Sequence, residues 1–387
     1  MISSQPEEIG RSSQPAGEAD CAQVAADHVA TLAAHLIDSP DVFLLQSGAH
    51  LPQLTLAYQT YGRLNERRDN AILVCHGFTG SAHAAGIDSN ETPGEGWWNA
   101  LIGSGKPFDT DRFFVISSNV LGGCRGSTGP SSIDPRTSKP YGSQFPEITI
   151  GDIVAAQRLL LRSLGIDHLL CVAGGSMGGM QAMEWGIRYP DMASSVIPIA
   201  CAARFSAQAL ALSIAARRAI EADAQWHGGD YYGYGIPARG LAAARFLANI
   251  TYLSPGYLEG RVLAAGADRT GFQEELDAET RLFVNRFDAN SFIALSLAME
   301  SFDLTGLPDI ALSSGSQGPC WRLISYTSDW LFPSAQLEGF LVDLHRAGAE
   351  ASHVIIESSV GHDSFIVEPE LIAPEIRSFL SEIASAP

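Results

Sequence analysis

The sequence has no long hydrophobic run and little positive charge. It lacks the stretch of about twenty consecutive apolar residues that a membrane span needs, so none is predicted. The first 20 residues contain neither a basic start nor an apolar stretch, which argues against a secretory signal. Lys and Arg number 24 against 43 Asp and Glu, which gives a net charge of −19. Such a chain repels nucleic acid and anionic lipid, so neither is expected as a partner.

Cysteine is also scarce, and its spacing shows no pairing. The 387 residues contain 6 cysteines, with no C-x-x-C motif, and Cys75 and Cys171 lie inside apolar runs. We therefore expect buried free thiols in a reducing compartment, the cytoplasm, without disulfides and without a metal site. The composition, 46% hydrophobic and 17% charged, is typical of a globular protein.

Short apolar runs alternate with helical patterns from Phe43 onward. The strand-like runs are Leu54–Tyr58, Ala71–Cys75, Phe113–Ser117, His168–Ala173, Ser195–Ile199, Trp321–Tyr326 and His353–Glu357. Helical runs follow several of them, notably 152–164, 177–189 and 335–347. This alternation predicts an α/β fold with a mostly parallel, doubly wound sheet. Near-continuous runs such as AILVC fit strands that are covered on both faces.

The alternation is interrupted between residues 204 and 308. Helical runs at 206–221, 240–249 and 291–301 fill this stretch. We interpret it as an inserted helical lid domain between two strands of the sheet. Such an insertion would lie above the carboxyl ends of the strands, where open α/β sheets bind their ligands.

The predicted domain organisation follows from these patterns. It comprises an N-terminal extension (1–40), a first part of the core (41–203), the helical lid insertion (204–308) and a second part of the core (309–387). Within the extension, residues 1–20 have the polar composition of a disordered tail. Residues 21–37 are rich in alanine and have helical spacing.

The segment HLLCVAGGSMGGMQAMEWGIRYP contains a G-x-S-x-G motif, Gly174–Gly178, between an apolar strand and a helix. This is the strand–turn–helix context of a nucleophile elbow. The tight turn would push the Ser176 hydroxyl out of the sheet and aim the N–H of Met177 at the same point. The alternative is a Gly-Gly-Ser loop that is only a turn. A dinucleotide site is less favoured, because no G-x-G-x-x-G opens the first strand–helix unit.

Two later strands are followed by residues that can complete a catalytic triad. In this architecture the chain order is serine, acid, histidine. Asp329 follows one of these strands, and His362 follows the last one. His362 would take the proton of Ser176, and Asp329 would hold the imidazole in the required tautomer. Asp363 competes for the role of the acid, and a surface histidine and a turn-capping aspartate remain alternatives for the two positions.

An oxyanion hole needs a second N–H from the loop after an early strand. Strand AILVC runs into the loop His76–Gly80. We predict that the N–H of Phe78 pairs with that of Met177. His76 is expected to be a structural, hydrogen-bonded residue and not a catalyst.

Together these segments resemble the homoserine O-acetyltransferases and their serine and homoserine O-succinyltransferase relatives, from Phe43 to Pro369. The segments that carry the resemblance include HGFTGSAHAAG, NVLGGCRGSTGP, GGSMGGMQAMEWGIRYPD, RFLANITYLS, RFDANSFIALSLAMESFDL, SDWLFP and GHDSF. The resemblance implies the α/β-hydrolase fold and acyl transfer from acetyl-CoA to the hydroxyl of L-homoserine in methionine synthesis. Succinyl transfer, and an esterase or thioesterase that uses the same triad, remain the alternatives.

The resemblance also implies roles for individual residues. It maps the triad to Ser176, Asp329 and His362, and substrate binding to Arg245 and Asp363. These two assignments make chemical sense, because an arginine can grip the carboxylate of an amino acid and an aspartate can hold its ammonium. No cofactor is implied beyond the acyl-CoA substrate, and a homodimer through the helical insertion is expected.

Overall fold

The computed structural model describes residues 30–38, 41–88, 94–264, 266, 269–305 and 318–385. An eight-stranded sheet runs through them in the spatial order β1-β2-β4-β3-β5-β6-β7-β8. The strands are β1 (Leu32–Ile37), β2 (Leu54–Tyr61), β3 (Ala71–Cys75), β4 (Phe114–Ser118), β5 (Cys171–Gly175), β6 (Ser195–Ile199), β7 (Cys320–Tyr326) and β8 (Ala351–Ile356). β2 pairs antiparallel with β1 and with β4, and the other pairs are parallel. The predicted mostly parallel sheet is confirmed.

Helices follow most of the parallel strands. They are α1 (Ile150–Ser163), α2 (Met177–Arg188), α3 (Ala207–Glu221), α4 (Ala238–Tyr252), α5 (Pro255–Ala264), α6 (Arg269–Arg286), α7 (Ala289–Glu300), α8 (Ser334–Arg346), α9 (Ser364–Val367) and α10 (Ala373–Ser385). Short 3-10 helices lie at Gly142–Gln144, Pro190–Met192, His227–Gly229 and Pro369–Leu371. Two-residue strand pairs join Phe43–Leu44 to His50–Leu51, Ile102–Gly103 to Phe108–Asp109, and Ile133–Asp134 to Lys139–Pro140. None of these helices has the length and apolar content that crossing a bilayer requires.

Both faces of the central strands are buried. In β3, Leu73 packs into the core that contains α1 and α2, whereas Ile72 and Val74 pack into a second core with α10. Successive side chains of a strand point to opposite faces, so both faces of the sheet are covered by helices. This arrangement explains why the strand sequences are continuous apolar runs without polar alternation.

The N-terminal part of the chain differs from the prediction. Residues 1–29, including the predicted tail, lie outside the described residues, and Leu32–Ile37 is a strand where helical spacing predicted a helix. This strand pairs antiparallel with β2, and His35 hydrogen-bonds to Thr55 at 2.9 Å. Without β1, the backbone of β2 would be an unpaired sheet edge, and pairing there outweighs a local helical preference. The division into domains remains a prediction.

Between β6 and β7 the chain leaves the sheet and forms α3 to α7. The helical patterns predicted α3, α4 and α7, but not α5 or α6. α6 buries only Thr280, Phe283 and Val284 along its 18 residues, so it lacks the apolar stripe that reveals a helix in a sequence.

The end of α4 is tied to the loops that follow β7 and β8. The Tyr252 carbonyl accepts the N–H of Asp363 at 2.9 Å. The N–H of Ser254 donates to the Val360 carbonyl at 2.6 Å. The indole N–H of Trp330 donates to the Leu253 carbonyl at 3.1 Å. These bonds hold the end of α4 in a fixed position at the carboxyl edge of the sheet.

Candidate active site

The turn between β5 and α2 places Ser176 at the carboxyl edge of the sheet. Its backbone is left-handed, with φ 58° and ψ −122°. Such a conformation costs a residue other than glycine about 1–3 kcal/mol. The neighbouring glycines permit close contacts, because a Cβ on Gly178 would lie 2.0 Å from the Cys75 carbonyl oxygen. One on Gly175 would lie 2.3 Å from the Phe365 ring. Ser176 therefore has the strand–turn–helix setting that the motif predicted.

The structure brings the three predicted triad side chains together. His362 Nε2 lies 2.8 Å from Ser176 Oγ, and His362 Nδ1 lies 2.8 Å from Asp329 Oδ2. The exposed fractions of Ser176, Asp329 and His362 are 6%, 4% and 1%. The three residues follow β5, β7 and β8, and parallel strands end at the same edge of a sheet. Residues that lie 186 positions apart in the chain, Ser176 and His362, therefore come into contact.

Asp329, and not Asp363, contacts the His362 ring. The second oxygen of Asp329, Oδ1, accepts the N–H groups of Leu331 and Phe332, each at 2.9 Å. Both carboxylate oxygens are therefore engaged, and the orientation of the group is fixed. Among the described contacts, Asp363 makes no hydrogen bond to the ring.

The charge state of His362 depends on two opposing effects. Burial disfavours the charged imidazole and by itself would lower its pKa. The charge and hydrogen bond of Asp329, with a smaller effect from Asp363, act in the opposite direction. Together they raise the pKa of His362 above its ordinary value, which makes the imidazole a stronger proton acceptor for Ser176.

The loop after β3 lies beside the serine. A Cβ on Gly77 would lie 3.8 Å from Ser176 Cβ, and Phe78 lines the same cavity as Ser176. Met177 is the first residue of α2, so its N–H has no acceptor within the helix. The two residues predicted to form an oxyanion hole thus both lie next to Ser176, and that role stays a prediction.

His76 holds this loop in place. It is buried, its Nδ1 lies 2.7 Å from the Gly77 carbonyl oxygen, and its Nε2 accepts the Val120 N–H at 3.2 Å. Burial lowers the pKa of His76 to about 4. A neutral histidine that bridges two backbone segments agrees with the structural role expected from the sequence.

Arg245, on α4, and Asp363, next to His362 in the chain, both lie close to the triad. The Arg245 guanidinium lies over the Tyr252 ring, 5.7 Å from its centroid, and Nη1 lies 3.5 Å from Thr79 Oγ1. The Tyr252 ring in turn lies 5.7 Å from the His362 ring, centroid to centroid. Burial raises the pKa of Asp363, and the positive charges of His362 and Arg245 oppose that rise. A cation and a carboxyl group are thus both close to the imidazole.

A cavity of about 550 Å³, its opening to solvent included, leads from Ser176 into the space beneath the lid. Its walls are mainly aromatic and aliphatic, and the aromatic groups are Phe78, Phe205, Tyr252, Phe292 and Phe332. None of its described lining residues is charged. Among the described residues, no group of three His, Cys, Asp or Glu side chains is placed to hold a metal ion.

Three residues in or beside this site were not predicted from the sequence: Thr79, Tyr252 and Arg286. Tyr252 could have been found, because it lies two helical turns after Arg245 in RFLANITYLS and so shares its face of α4. Thr79 and Arg286 gave no such signal. They meet through a hydrogen bond between residues 207 positions apart.

Comparison with known proteins agrees with this geometry. A family model of the alpha/beta hydrolase fold matches residues 70–369. The homoserine O-acetyltransferase of Deferribacter desulfuricans is 46% identical over 353 residues, which covers 89% of this chain and 94% of that protein. The chain belongs to the homoserine O-acetyltransferase family. The family member from Rhodospirillum rubrum is likewise 46% identical over 361 residues, with coverage of 90% and 92%. The resemblance inferred from the motifs is confirmed.

This family member is also similar to solved structures, two of which are informative. The homoserine O-acetyltransferase from Bacillus anthracis superposes with a TM-score of 0.81 at 28% identity, covering 92% of this chain and 98% of that one. Esterase E22 superposes with a TM-score of 0.82 at 30% identity, covering 91% and 100%. Because a transferase and an esterase match equally well, the fold alone does not distinguish acyl transfer from hydrolysis.

The pKa of His362 provides a direct test of this electrostatic arrangement. Asp329→Asn removes the charge that opposes burial, so the pKa of His362 should fall. NMR titration of the imidazole signals would measure the change. The signal of His76, whose pKa burial already lowers to about 4, serves as the internal control and should not move. An unchanged His362 titration would show that Asp329 does not set its charge state.

Proposed function

We propose that this chain transfers an acetyl group from acetyl-CoA to the hydroxyl of L-homoserine, a reaction consistent with methionine biosynthesis. The proposal rests chiefly on the Arg245 and Asp363 pair beside a Ser176–His362–Asp329 hydrogen-bond chain. A serine with a base supports acyl chemistry in general. A cation and a carboxylate next to that base support an acceptor that carries a carboxylate and an ammonium group. The family membership of the chain agrees with this acceptor. Acetyl-CoA is a substrate, and no further cofactor is proposed.

In the first half-reaction, Ser176 Oγ attacks the thioester carbonyl carbon while His362 Nε2 takes the hydroxyl proton. The negative charge that develops on the carbonyl oxygen is stabilised by the N–H groups of Phe78 and Met177. The carbon–sulfur bond then breaks, the thiol of CoA leaves with the proton from His362, and acetyl-Ser176 remains.

In the second half-reaction, the hydroxyl of homoserine attacks acetyl-Ser176 and gives its proton to His362. The new ester forms as the bond to Oγ breaks, and His362 returns the proton to Ser176. Arg245 grips the acceptor carboxylate and Asp363 holds the ammonium, so the hydroxyl is delivered in a fixed orientation. Water competes for the same intermediate, and the burial of Ser176 under the lid limits its access.

The cavity beside Ser176 favours an uncharged acyl group. A succinyl group that extended into this cavity would place its distal carboxylate against the apolar lining, which includes no charged residue. Arg245 lies outside this lining and is assigned to the acceptor. Burying an unpaired carboxylate is strongly unfavourable, whereas an acetyl methyl group loses nothing. This observation supports acetyl transfer over succinyl transfer.

We also propose a homodimer formed through the helical insertion. Of the 17 large hydrophobic side chains that are exposed in the described residues, 8 lie between residues 204 and 308. They are Leu210, Ile214, Tyr234, Ile236, Ile250, Leu263, Leu282 and Leu297. We propose that these side chains contribute to the apolar surface that a dimer interface would bury. The cytoplasm remains the proposed location on the cysteine usage of the sequence.

Ester hydrolysis is the second candidate function, because esterase E22 shares the fold over the whole of its length. It would use the same acyl-Ser176 intermediate with water as the acceptor. A hydrolase has no need for a carboxylate and ammonium clamp, so Arg245 and Asp363 weigh against it.

The substrate pair can be tested with a grid of acyl-CoA donors and amino-acid acceptors on the purified protein. We expect the largest kcat/KM for acetyl-CoA with L-homoserine, and at least about 100-fold less for succinyl-CoA because of the buried carboxylate. CoA release and product formation would both be measured, so hydrolysis is distinguished from transfer. Release of CoA that does not respond to any amino acid would favour the esterase instead.

The nucleophile can be tested without an acceptor. Protein mixed with acetyl-CoA alone should gain the mass of one acetyl group, detected by mass spectrometry of the intact chain. Ser176→Ala removes the attacking oxygen and should abolish the adduct. Ser213→Ala, which removes another hydroxyl of the same cavity, is the matched control and should still acylate. An adduct that persists in Ser176→Ala would exclude this residue as the nucleophile.

The acceptor clamp can be separated from the acylation chemistry by Arg245→Leu. We expect the KM for homoserine to rise by about 10- to 100-fold, because a charge-assisted hydrogen bond is lost, with little change in the acylation rate. Arg239→Leu, an exposed position on the same helix, is the control. Acceptor kinetics that are the same in both variants would contradict the assignment of Arg245.

A further inference from the structure

A second arginine lies beside Arg245. Arg286 is the last residue of α6, and its Nη1 donates to the Thr79 carbonyl oxygen at 3.2 Å. The hydroxyl of the same threonine lies 3.5 Å from Arg245 Nη1. Both guanidinium groups also lie against the Phe283 ring, with Cζ atoms 4.9 Å (Arg245) and 5.5 Å (Arg286) from its centroid. One residue of the loop after β3 and one aromatic ring thus bring two positive charges together.

Neither guanidinium has a carboxylate within 4.0 Å among the described residues. By contrast, other part-buried arginines are paired, such as Arg217 with Glu300 at 2.8 Å. The chain carries 43 acidic against 24 basic residues, so acidic partners are plentiful. The Arg245 Nε is buried and has no hydrogen-bond partner among the described residues. Two cations without a carboxylate in ion-pair contact, one of them with an unused donor, are typical of an anion-binding site.

The environment of Arg286 is consistent with an anion-binding site. Burial, followed by the positive charges of Arg245 and Arg125, lowers the pKa of Arg286 to about 10. The side chain therefore still carries its charge at neutral pH. An anion between Arg245 and Arg286 would relieve their mutual repulsion, which the loop carbonyl at Thr79 offsets only partly.

We propose that Arg286 is a second carboxylate-binding residue of the acceptor site, acting together with Arg245. This inference rests on the proposed function and extends it. Both arginines would bind the free α-carboxylate of the acceptor, so the enzyme would require that group.

The position of the pair favours the acceptor carboxylate over a phosphate of the donor. Both arginines contact Thr79, which belongs to the loop beside Ser176. Arg245 also lies over the Tyr252 ring, which is 5.7 Å from the His362 ring, centroid to centroid. In homoserine the carboxylate carbon is four bonds from the hydroxyl oxygen, about 5 Å. The phosphates of CoA are separated from the thioester by the whole pantetheine arm and would lie much farther from Ser176.

A simpler role for Arg286 is to hold the loop that carries Phe78, through its bond to the Thr79 carbonyl. The two roles make different predictions. Loss of a loop anchor would slow acylation and affect every acceptor alike, whereas loss of a carboxylate contact would affect only acceptors that carry a carboxylate.

The test compares L-homoserine with 3-aminopropan-1-ol, which keeps the hydroxyl and the ammonium but has no carboxylate. In Arg286→Met we expect kcat/KM for homoserine to fall by about 10- to 100-fold. That for 3-aminopropan-1-ol, and the rate of acylation by acetyl-CoA alone, should each change by less than about threefold. Arg281→Met, an exposed position on the same helix, is the matched control.

Arg286→Lys provides a second variant that keeps the charge but loses the planar fork, and it should lose less activity with homoserine than Arg286→Met. Equal losses with both acceptors, slower acylation, or no loss with homoserine would each overturn the proposal. If the unaltered protein does not acetylate homoserine at all, the proposed function fails instead, and this is seen before any variant is made.

Discussion

The left-handed backbone at Ser176 is the constraint on which the site depends. It requires a strand that stops abruptly, a helix that starts at the next residue, and neighbours without side chains where the chain passes Cys75. The surrounding sheet supports this local strain by burying β5 on both faces. As a result, the serine hydroxyl faces the same small volume as the first N–H of α2 and the loop after β3. The acid and the base need only follow neighbouring strands to reach it.

The features that the sequence predicted well are those with local causes. The turn at Ser176 is encoded by adjacent glycines, and β3 and β6 are encoded by continuous apolar runs with turn residues at their ends. The triad could be assembled because Asp329 and His362 each follow a strand, and parallel strands end at one edge. The choice of Asp329 over Asp363 rested on the order of the residues along the chain and on the family resemblance. The acid that faces the ring is decided by the two backbone N–H groups that orient the carboxylate.

The features that the sequence did not predict have causes far away in the chain. β1 forms because β2 would otherwise end the sheet, and nothing within Leu32–Ile37 signals that edge. α6 is polar over most of its surface, so its helical character has no apolar periodicity to reveal it. Its last residue, Arg286, contacts a loop 207 positions earlier. Such a contact exists only after the lid has folded over the sheet, so no local pattern can indicate it.

The hydrogen bonds at Tyr252–Ser254 have a consequence for how molecules reach the serine. The same short segment is bonded to the histidine loop and to the tryptophan beside the acid. An outward movement of α4 would break those bonds and disturb the loop that holds the His362 imidazole against the Ser176 hydroxyl. Substrates and products would therefore enter and leave through the existing opening of the cavity, helped by rotation of the aromatic side chains that line it. Access to the serine would then depend on the rotation of individual side chains and not on the movement of a whole helix.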